Sequence, residues 1–230
     1  MRVDLWLGWD SHVPRVSEVA AYSAQRRSSL PLNIHFLKQD ELVRHGLYWR
    51  SVDPLASTEF TYTRFLTPHL SPDADIAIFA DNDILWQHDI ADLIEAVDFS
   101  RAVHCVKHDH RPIETMKMDG RIQSRFPRKN WSSLMVFNMR DERLRELTVD
   151  RVNTESGAYL HRMKWLDDDA IGALDPRWNW LEGSSPMTDD PFAIHFTRGG
   201  PWLEAWRDVA FAERWFLEER LMLGRLEAVD

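Results

Sequence analysis

The stretch DADIAIFADNDILW, residues 73–86, is an apolar run that ends abruptly in two carboxylates separated by one residue. Its DIAIFA portion (75–80) is unbroken hydrophobic sequence of strand length with two β-branched isoleucines, which predicts a central strand covered on both faces. Side chains at i and i+2 of an extended chain point the same way, so Asp81 and Asp83 are placed to converge on one hard cation where that strand ends. A calcium loop of the EF-hand kind is excluded. Counted from Asp81, the sixth position is Trp86 where glycine is needed, and the twelfth is Asp92 in place of a bidentate glutamate. An Asp-x-Asp alone also has an ordinary structural reading, with Asp81 capping a turn and Asp83 solvated. Its position after a buried strand shifts the balance, because ligands of open α/β sheets bind at the carboxyl ends of strands.

Outward from this strand, strand and helix signals alternate, the pattern of an α/β sheet. VDLWLGW (3–9), LNIHFL (32–37), AVHCVKH (102–108), WSSLMVFNM (131–139) and FAIHF (192–196) read as further strands. Helices are expected at about Ser17–Arg27, in QDELVRHG before Gly46, over TEFTYTRFLTPHL (58–70), in DIADLIEAV, at the start of WLDDDAIGAL, and from about Leu203 to Leu223 with Gly224 as terminator. Within 58–70, Thr58 is placed to cap, Tyr62, Phe65 and Leu66 form an apolar stripe, and Pro68 limits the length. The polar, basic, glycine-containing stretch 109–130 reads as a mobile loop or lid, with Lys107 before it and Arg111 and Arg121 and Arg125 within it available to anions. No internal repeat or low-complexity segment interrupts the 230 residues, so one domain (1–230) with a C-terminal helix is expected.

Twenty-eight basic residues against 37 acidic ones, a formal charge of −9, argue against nucleic acid as a partner. The lone cysteine, Cys105, excludes an intramolecular disulfide framework. MRVDLWLGWD has neither a signal-peptide layout nor a membrane-length apolar run, which makes a cytoplasmic address the simplest expectation. Most of the 11 tryptophans are expected in the core, with a minority left as platforms for sugar faces.

Taken together, the segments resemble the GT-A nucleotide-sugar glycosyltransferases, most closely family 8, the bacterial galactosyltransferase and glycogenin type. FADNDILW resembles that family's Asp-x-Asp strand end, LGWDSH its first strand and nucleotide-facing turn, and TEFTYTRFL its helix with a Tyr-x-Arg pair. NWSSLMVFNM resembles the acceptor-side strand that usually reads Phe-Asn-Ala-Gly, LDDDAI the Asp-Gln-Asp helix start, PRWNWL the Arg-Phe/Trp-Asn segment, and AIHFTRGGPW the histidine-containing phosphate loop. The order is preserved along nearly the whole chain. The resemblance implies a mainly parallel mixed sheet flanked by helices, a UDP-sugar donor, a saccharide or glycolipid acceptor, and retention of configuration. It leaves peripheral contact with a membrane open. It implies donor contacts from Gly8, Asp10, Tyr62, Arg64, Asn82, Arg198, Gly199 and Gly200, and donor-sugar or acceptor contacts from Ser132, Ser133, Asp167, Asp169 and Trp202. Two positions depart from it: Gly200 stands where the loop usually has lysine, leaving Arg198 as the nearest cation, and Asp168 replaces the glutamine beside the donor sugar.

The residue types suit that chemistry. Departure of a nucleoside diphosphate builds negative charge, which a divalent ion stabilises without proton transfer. Asp81, Asp83 and His195 offer a mixed oxygen and nitrogen set suited to manganese and also to magnesium. His195 alternates in its strand with Ile194 and Phe196, and so faces away from them. Gly199 and Gly200 let backbone N–H groups approach phosphates closely. Of the three adjacent aspartates only one can face a common centre squarely on a helix, and motif position selects Asp168 as the catalytic candidate, whether as nucleophile, electrostatic stabiliser or general base. Asp167 and Asp169 also have a plain reading as acids at a helix start. His104, His108 and His110 share strand parity, which opens a zinc-hydrolase reading that no HExxH or paired-cysteine framework supports. A metal-dependent nucleotide-sugar hydrolase or nucleotidyltransferase, and a non-catalytic carbohydrate-binding protein, are the competing functions.

Overall fold

The computed structural model describes residues 1–53, 56–108 and 128–224. Six strands form the main sheet: β1 (Val3–Gly8), β2 (Leu32–Leu37), β3 (Ile76–Ala80), β5 (Val103–Cys105), β6 (Leu134–Asn138) and β7 (Ile171–Ala173), in the order β2-β1-β3-β6-β5-β7. Pairs β1/β2, β1/β3 and β5/β7 are parallel, whereas β6 runs antiparallel to both β3 and β5. A smaller sheet joins β4 (Ile84–Trp86), β9 (Ala193–His195) and β8 (Trp180–Leu181). The fold is therefore mixed α/β with a mainly parallel sheet, as the sequence predicts.

All five residues of β3 are buried, the expectation for a strand covered on both faces. Alternation divides them: Ala77 and Phe79 join one core layer with Phe60, Phe65, Met135 and Phe137, while Ile76, Ile78 and Ala80 join the other with Leu5, Leu7, Trp86 and Val136. Helix α1 (Pro14–Arg27) covers the second layer. Its Pro14 sits in the first turn, where a missing N–H costs nothing, and its buried residues Val16, Val19, Ala20, Ser23 and Ala24 recur with helical spacing. The helices α2 (Gln39–Arg44) and α4 (Ile90–Glu95) fall within the expected segments.

At the C-terminus, α7 (Ala212–Met222) returns to α1, where the buried Glu218 carboxylate binds Arg26 at 2.6 and 3.0 Å and Arg27 at 2.6 Å. Trp215 of α7 belongs to a third cluster with Val19, Leu85, Trp180, Ile194 and Phe196. Fewer tryptophans are core than the sequence suggests: Trp86, Trp165, Trp178, Trp180 and Trp215 are buried, Trp6, Trp9, Trp131, Trp202 and Trp206 are half-buried, and Trp49 is exposed.

Three predicted helices differ. Residues 58–70 form turns, a 3₁₀ segment (Thr63–Leu66) and only a short helix, α3 (Thr67–Leu70). Threonine hydroxyls there bond local carbonyls, Thr61 to Thr58 O and Thr67 to Arg64 O, and so compete with helix propagation. WLDDDAIGAL gives a 3₁₀ turn (Asp168–Ala170) and then strand β7. Gly172 lies against the His104 ring, so close that a Cβ there would fall 2.2 Å from it, and register with β5 settles the segment as strand. The expected Leu203–Leu223 helix begins at Ala212, because Phe211 adopts a left-handed φ of 62° that breaks any continuous helix before it. Helices α5 (Val149–Thr154) and α6 (Gly157–His161), which the sequence patterns do not announce, add Val152 and Leu160 to the core layer of Ala77 and Phe79.

Candidate metal and donor site

β3 delivers Asp81 at its carboxyl end, the following turn delivers Asp83, and β4 then pairs antiparallel with β9 so that Ile84 faces His195 in register. One oxygen each of Asp81 and Asp83 and one ring nitrogen of His195 lie within 4.8 Å of one another. His195 Nε2 is 3.2 Å from Asp83 Oδ1 and 3.8 Å from Asp81 Oδ2. The expected trio is thus brought together by strands distant in sequence.

The surroundings fix its chemistry. His195 Nδ1 lies 2.8 Å from Asn179 Oδ1, and Asn179 in turn donates its amide to Ser133 Oγ at 2.8 Å. That donation orients the Asn179 amide with its oxygen toward the imidazole, so Nδ1 carries a proton and Nε2, beside the carboxylates, is the nitrogen left to ligate a cation once its own proton is lost. Arg64, buried against the Phe60 and Phe79 rings, reaches Asp81 Oδ1 at 2.7 Å and donates to Ser132 O at 3.0 Å. Burial pushes the Asp81 carboxyl up to about 6 despite the charges of Arg64 and His195. For Asp83, burial acts in the same direction, but the charge and hydrogen bond of His195 outweigh it and hold the carboxyl below its usual range. Asp81 Oδ1 and Asp83 Oδ1 are both buried and lack a hydrogen bond of proper geometry. Two carboxylates converging with an imidazole nitrogen fit a divalent cation of the manganese or magnesium type.

Other sequence-selected residues have diverse positions. Asp81 and Arg64 line a cavity of about 450 Å³ with Ser132, Ser133, Tyr62 and His161. An adjoining cavity of about 280 Å³ shares Asp53, Ser57 and Tyr62 with it and continues to Asp10, so a groove runs from the end of β1 to Asp81. Tyr62 donates its hydroxyl to Asp53, and burial followed by that bond pushes the phenol up to about 12. Asp10 holds His12 at 2.8 Å. Gly8 is required because a Cβ would meet the Phe60 ring at 2.6 Å. Asn82 is buried and donates to Ser17 Oγ at 3.3 Å, tying the Asp-x-Asp turn to α1. Ser132 Oγ pairs with His161 Nδ1 at 2.8 Å, and Ser133 Oγ donates to Asn130 O, so both hydroxyls support the site from behind.

The loop after β9 is built differently from a bare phosphate cradle. Arg198 makes a bidentate pair with buried Glu182 at 2.8 to 3.1 Å, a partner without a signal in the sequence. Gly199, at φ 119°, lies under the Trp206 ring, and a Cβ on Gly200 would meet Trp202 at 2.0 Å. Trp202 itself packs on Phe196 and Trp215. Asp167, Asp168 and Asp169 are exposed; Asp168 pairs with Arg128 and lines a cavity with Arg101, His104 and Lys107, outside the one that holds Asp81. Arg128, however, also lines the Asp81 cavity, so one ion pair joins Asp168 to it.

His104 and His108 do not form a ligand row. His104 Nε2 accepts from the Asp98 N–H at 3.0 Å, whereas His108 is pushed down to about 4 by burial and by the nearby charge of His195. His110, Arg111, Arg121 and Arg125 and most of the expected lid lie outside the described residues. Asn179 is the main site residue to which the sequence assigns no role, although it stands in the quoted PRWNWL segment.

No protein-family model matches the chain. Protein CDI of Arabidopsis thaliana is 43% identical over 219 residues, which is 93% of this chain and 85% of the Arabidopsis protein. The chain belongs to the family of protein CDI. Among solved structures it is similar to the bifunctional glycosyltransferase WbbM (TM-score 0.66, 16% identity) over 97% of this chain and 51% of that one. GlyE of Streptococcus pneumoniae TIGR4 gives a TM-score of 0.62 at 16% identity over 97% of this chain and 62% of its own. The chain thus spans about half of WbbM and under two thirds of GlyE. The galactosyltransferase LgtC, solved with donor and acceptor sugar analogues, gives 0.62 at 15% identity over 99% of this chain and 97% of its own. These likenesses establish the GT-A glycosyltransferase fold. No helix among the described residues is long and apolar enough to cross a membrane.

Proposed function

We propose that this chain is a metal-dependent glycosyltransferase of the family 8 type, one domain that moves a sugar from a nucleotide-sugar donor, a UDP-sugar, to a saccharide or glycolipid acceptor with retention. The observation that carries this reading is the convergence of Asp81, Asp83 and His195 at the carboxyl end of the central strand of a GT-A fold. A cytoplasmic address, with peripheral contact to a membrane where the acceptor is a glycolipid, belongs to the same reading.

In this mechanism Asp81, Asp83 and His195 would hold a manganese or magnesium ion, which would supply charge stabilisation to the departing diphosphate. Asn179 keeps His195 in the ligating tautomer, and Arg64 holds the Asp81 carboxylate in place from behind. The groove from Asp10 past Tyr62 receives the nucleotide, and the cavity at Arg64 and Asp81 receives the sugar. The bond from the anomeric carbon to the diphosphate oxygen breaks, the acceptor oxygen bonds to that carbon, and its proton leaves with the diphosphate. Asp168 is assigned to the chemical step, entering the cavity on release from Arg128.

Calorimetry of UDP, UDP-glucose and UDP-galactose with manganese, and again with chelator, tests the proposal. Binding that depends on manganese supports it, and equal affinity in chelator overturns it. Product analysis with an acceptor panel then separates transfer from simple donor hydrolysis.

A further inference from the structure

The cavity of about 450 Å³ beside Asp81 is lined by a histidine that the metal site does not use. His161 ends α6, and its ring packs edge-on against Phe65 at 5.1 Å and lies 6.0 Å from the Tyr62 ring. Its Nδ1 is 2.8 Å from Ser132 Oγ, while Nε2 has no hydrogen-bond partner among the described residues. Burial, followed by the charges of Arg64 and Arg50, pushes the imidazole down to about 3, so the ring is neutral near pH 7.

A neutral imidazole has one N–H and one lone pair, and Ser132 decides which nitrogen carries which. When the serine hydroxyl donates into Nδ1, the proton is on Nε2; when it accepts from Nδ1–H, Nε2 is the acceptor. Ser132 keeps its place through this exchange, because its carbonyl is held by Arg64 at 3.0 Å. Nε2 is therefore able either to donate or to accept, which matches a sugar hydroxyl, itself both donor and acceptor. Ser57 and Asn130 line the same cavity with a hydroxyl and an amide that have no partner among the described residues. The guanidinium groups of Arg64 and Arg128, by contrast, are already engaged by Asp81 and Asp168.

We infer that His161 is a specificity-determining residue of the proposed transfer: its Nε2 meets a hydroxyl of the donor sugar, and Ser132 positions the ring and sets its tautomer to suit. The inference rests on the glycosyltransferase reading and goes beyond it by naming the group that tells one neutral sugar from another.

Calorimetry at fixed manganese, with UDP, UDP-glucose, UDP-galactose and UDP-xylose as probes, compares the wild type with His161→Phe, His161→Gln and Ser132→Ala. His161→Phe keeps a ring against Tyr62 and Phe65 and removes both nitrogens. Loss of one neutral hydrogen bond should weaken a UDP-sugar by about twofold to tenfold relative to UDP, with UDP itself unchanged. His161→Gln, whose amide also donates or accepts, should restore part of that selectivity, which a merely structural role would not predict. Ser132→Ala retains the imidazole and its packing and should show the same selective loss, so the inference stays testable if His161→Phe does not fold. A loss confined to UDP-glucose and UDP-galactose assigns the contact to the C6 hydroxyl, which xylose lacks, and a collapsed preference between glucose and galactose assigns it to the C4 hydroxyl. Variants that keep the wild-type ratio of UDP-sugar to UDP affinity, whether or not UDP itself weakens, overturn the inference and leave the glycosyltransferase reading standing. A wild type that binds none of the four probes overturns both.

Discussion

Asn179→Ala separates an oriented metal site from a chance meeting of acids. Asn179 is fully buried, accepts from His195 Nδ1 at 2.8 Å and donates to Ser133 Oγ at 2.8 Å. Truncation leaves Ser133 donating to Asn130 O, so the serine keeps a partner, but it strands the His195 N–H in a dry interior. One orphaned buried donor costs about 1–3 kcal/mol, which sets the expected loss of stability. The larger consequence falls on the metal. A partner that fixes a ligating histidine is typically worth about 10–100-fold in metal affinity, because a ring free to turn or change tautomer no longer presents Nε2. Asn179→Asp keeps an acceptor for Nδ1–H and should recover more affinity than the alanine variant. Titration of manganese followed by electron paramagnetic resonance measures free ion directly, and thermal denaturation of the same samples reports stability. An Asn179→Ala protein that binds manganese as tightly as the wild type, while as destabilised as expected, would refute the reasoning.

Asp83→Ala should abolish the metal-dependent part of UDP affinity and lower the melting temperature of the metal-free protein, since it removes the carboxylate that pairs with buried His195; loss of the fold in circular dichroism would make Asp83 structural. Asp168→Asn should lower kcat by about a hundredfold or more with little change in UDP affinity if the aspartate stabilises charge only in the transition state, and near-normal turnover would reduce it to the partner of Arg128. Glu218 holds its proton more weakly than a free glutamate: burial opposes ionisation, but the hydrogen bonds of Arg26 and Arg27 outweigh it. Its contribution is therefore fully present above the ordinary glutamate value of 4.5 and is lost as pH falls through the depressed folded value. Glu218→Gln should cost about 1.5–3 kcal/mol at pH 7 and less in acid, read from urea melts at both pH values; the same loss at both would assign the effect to shape and not to charge.

Much of the sheet is legible in the sequence because its strands are short apolar runs whose type and length admit one reading. DIAIFA is the clearest case, and its burial on both faces follows directly from the lack of polar residues. The cluster of Asp81, Asp83 and His195 is legible in part: parity sets the direction of His195 in β9, whereas Asp83 stands in the turn after β3 and meets His195 through the pairing of β4 with β9. What the sequence conceals depends on tertiary pairing. Three adjacent aspartates look like a helix start, yet the chain after them pairs with β5, and nothing local announces that partner. Arg198 reads as a free cation because Glu182, 16 positions earlier, shows no sign of reaching it. Asn179 is hidden for the opposite reason: an asparagine in a loop is commonplace, and its worth lies in meeting an imidazole from β9 and a serine before β6.

Because β6 runs against β3, the beginning of one strand lies beside the end of the other, and the Asp81 N–H bonds to Ser133 O at 2.8 Å. The two ends of the sheet therefore differ in how freely they can be remodelled. At the Asn138 end, the residues after β6 lead away from the metal ligands, and a lengthened connection there leaves Asp81, Asp83 and His195 where they are. At the Ser132 end, a single added residue would shift the carbonyls that hold both Arg64 and the Asp81 backbone. New loops, tags or fused domains belong at the first end, and diversity introduced to alter the candidate site belongs at the second, where a small change in chain length is felt at Asp81 and Arg64.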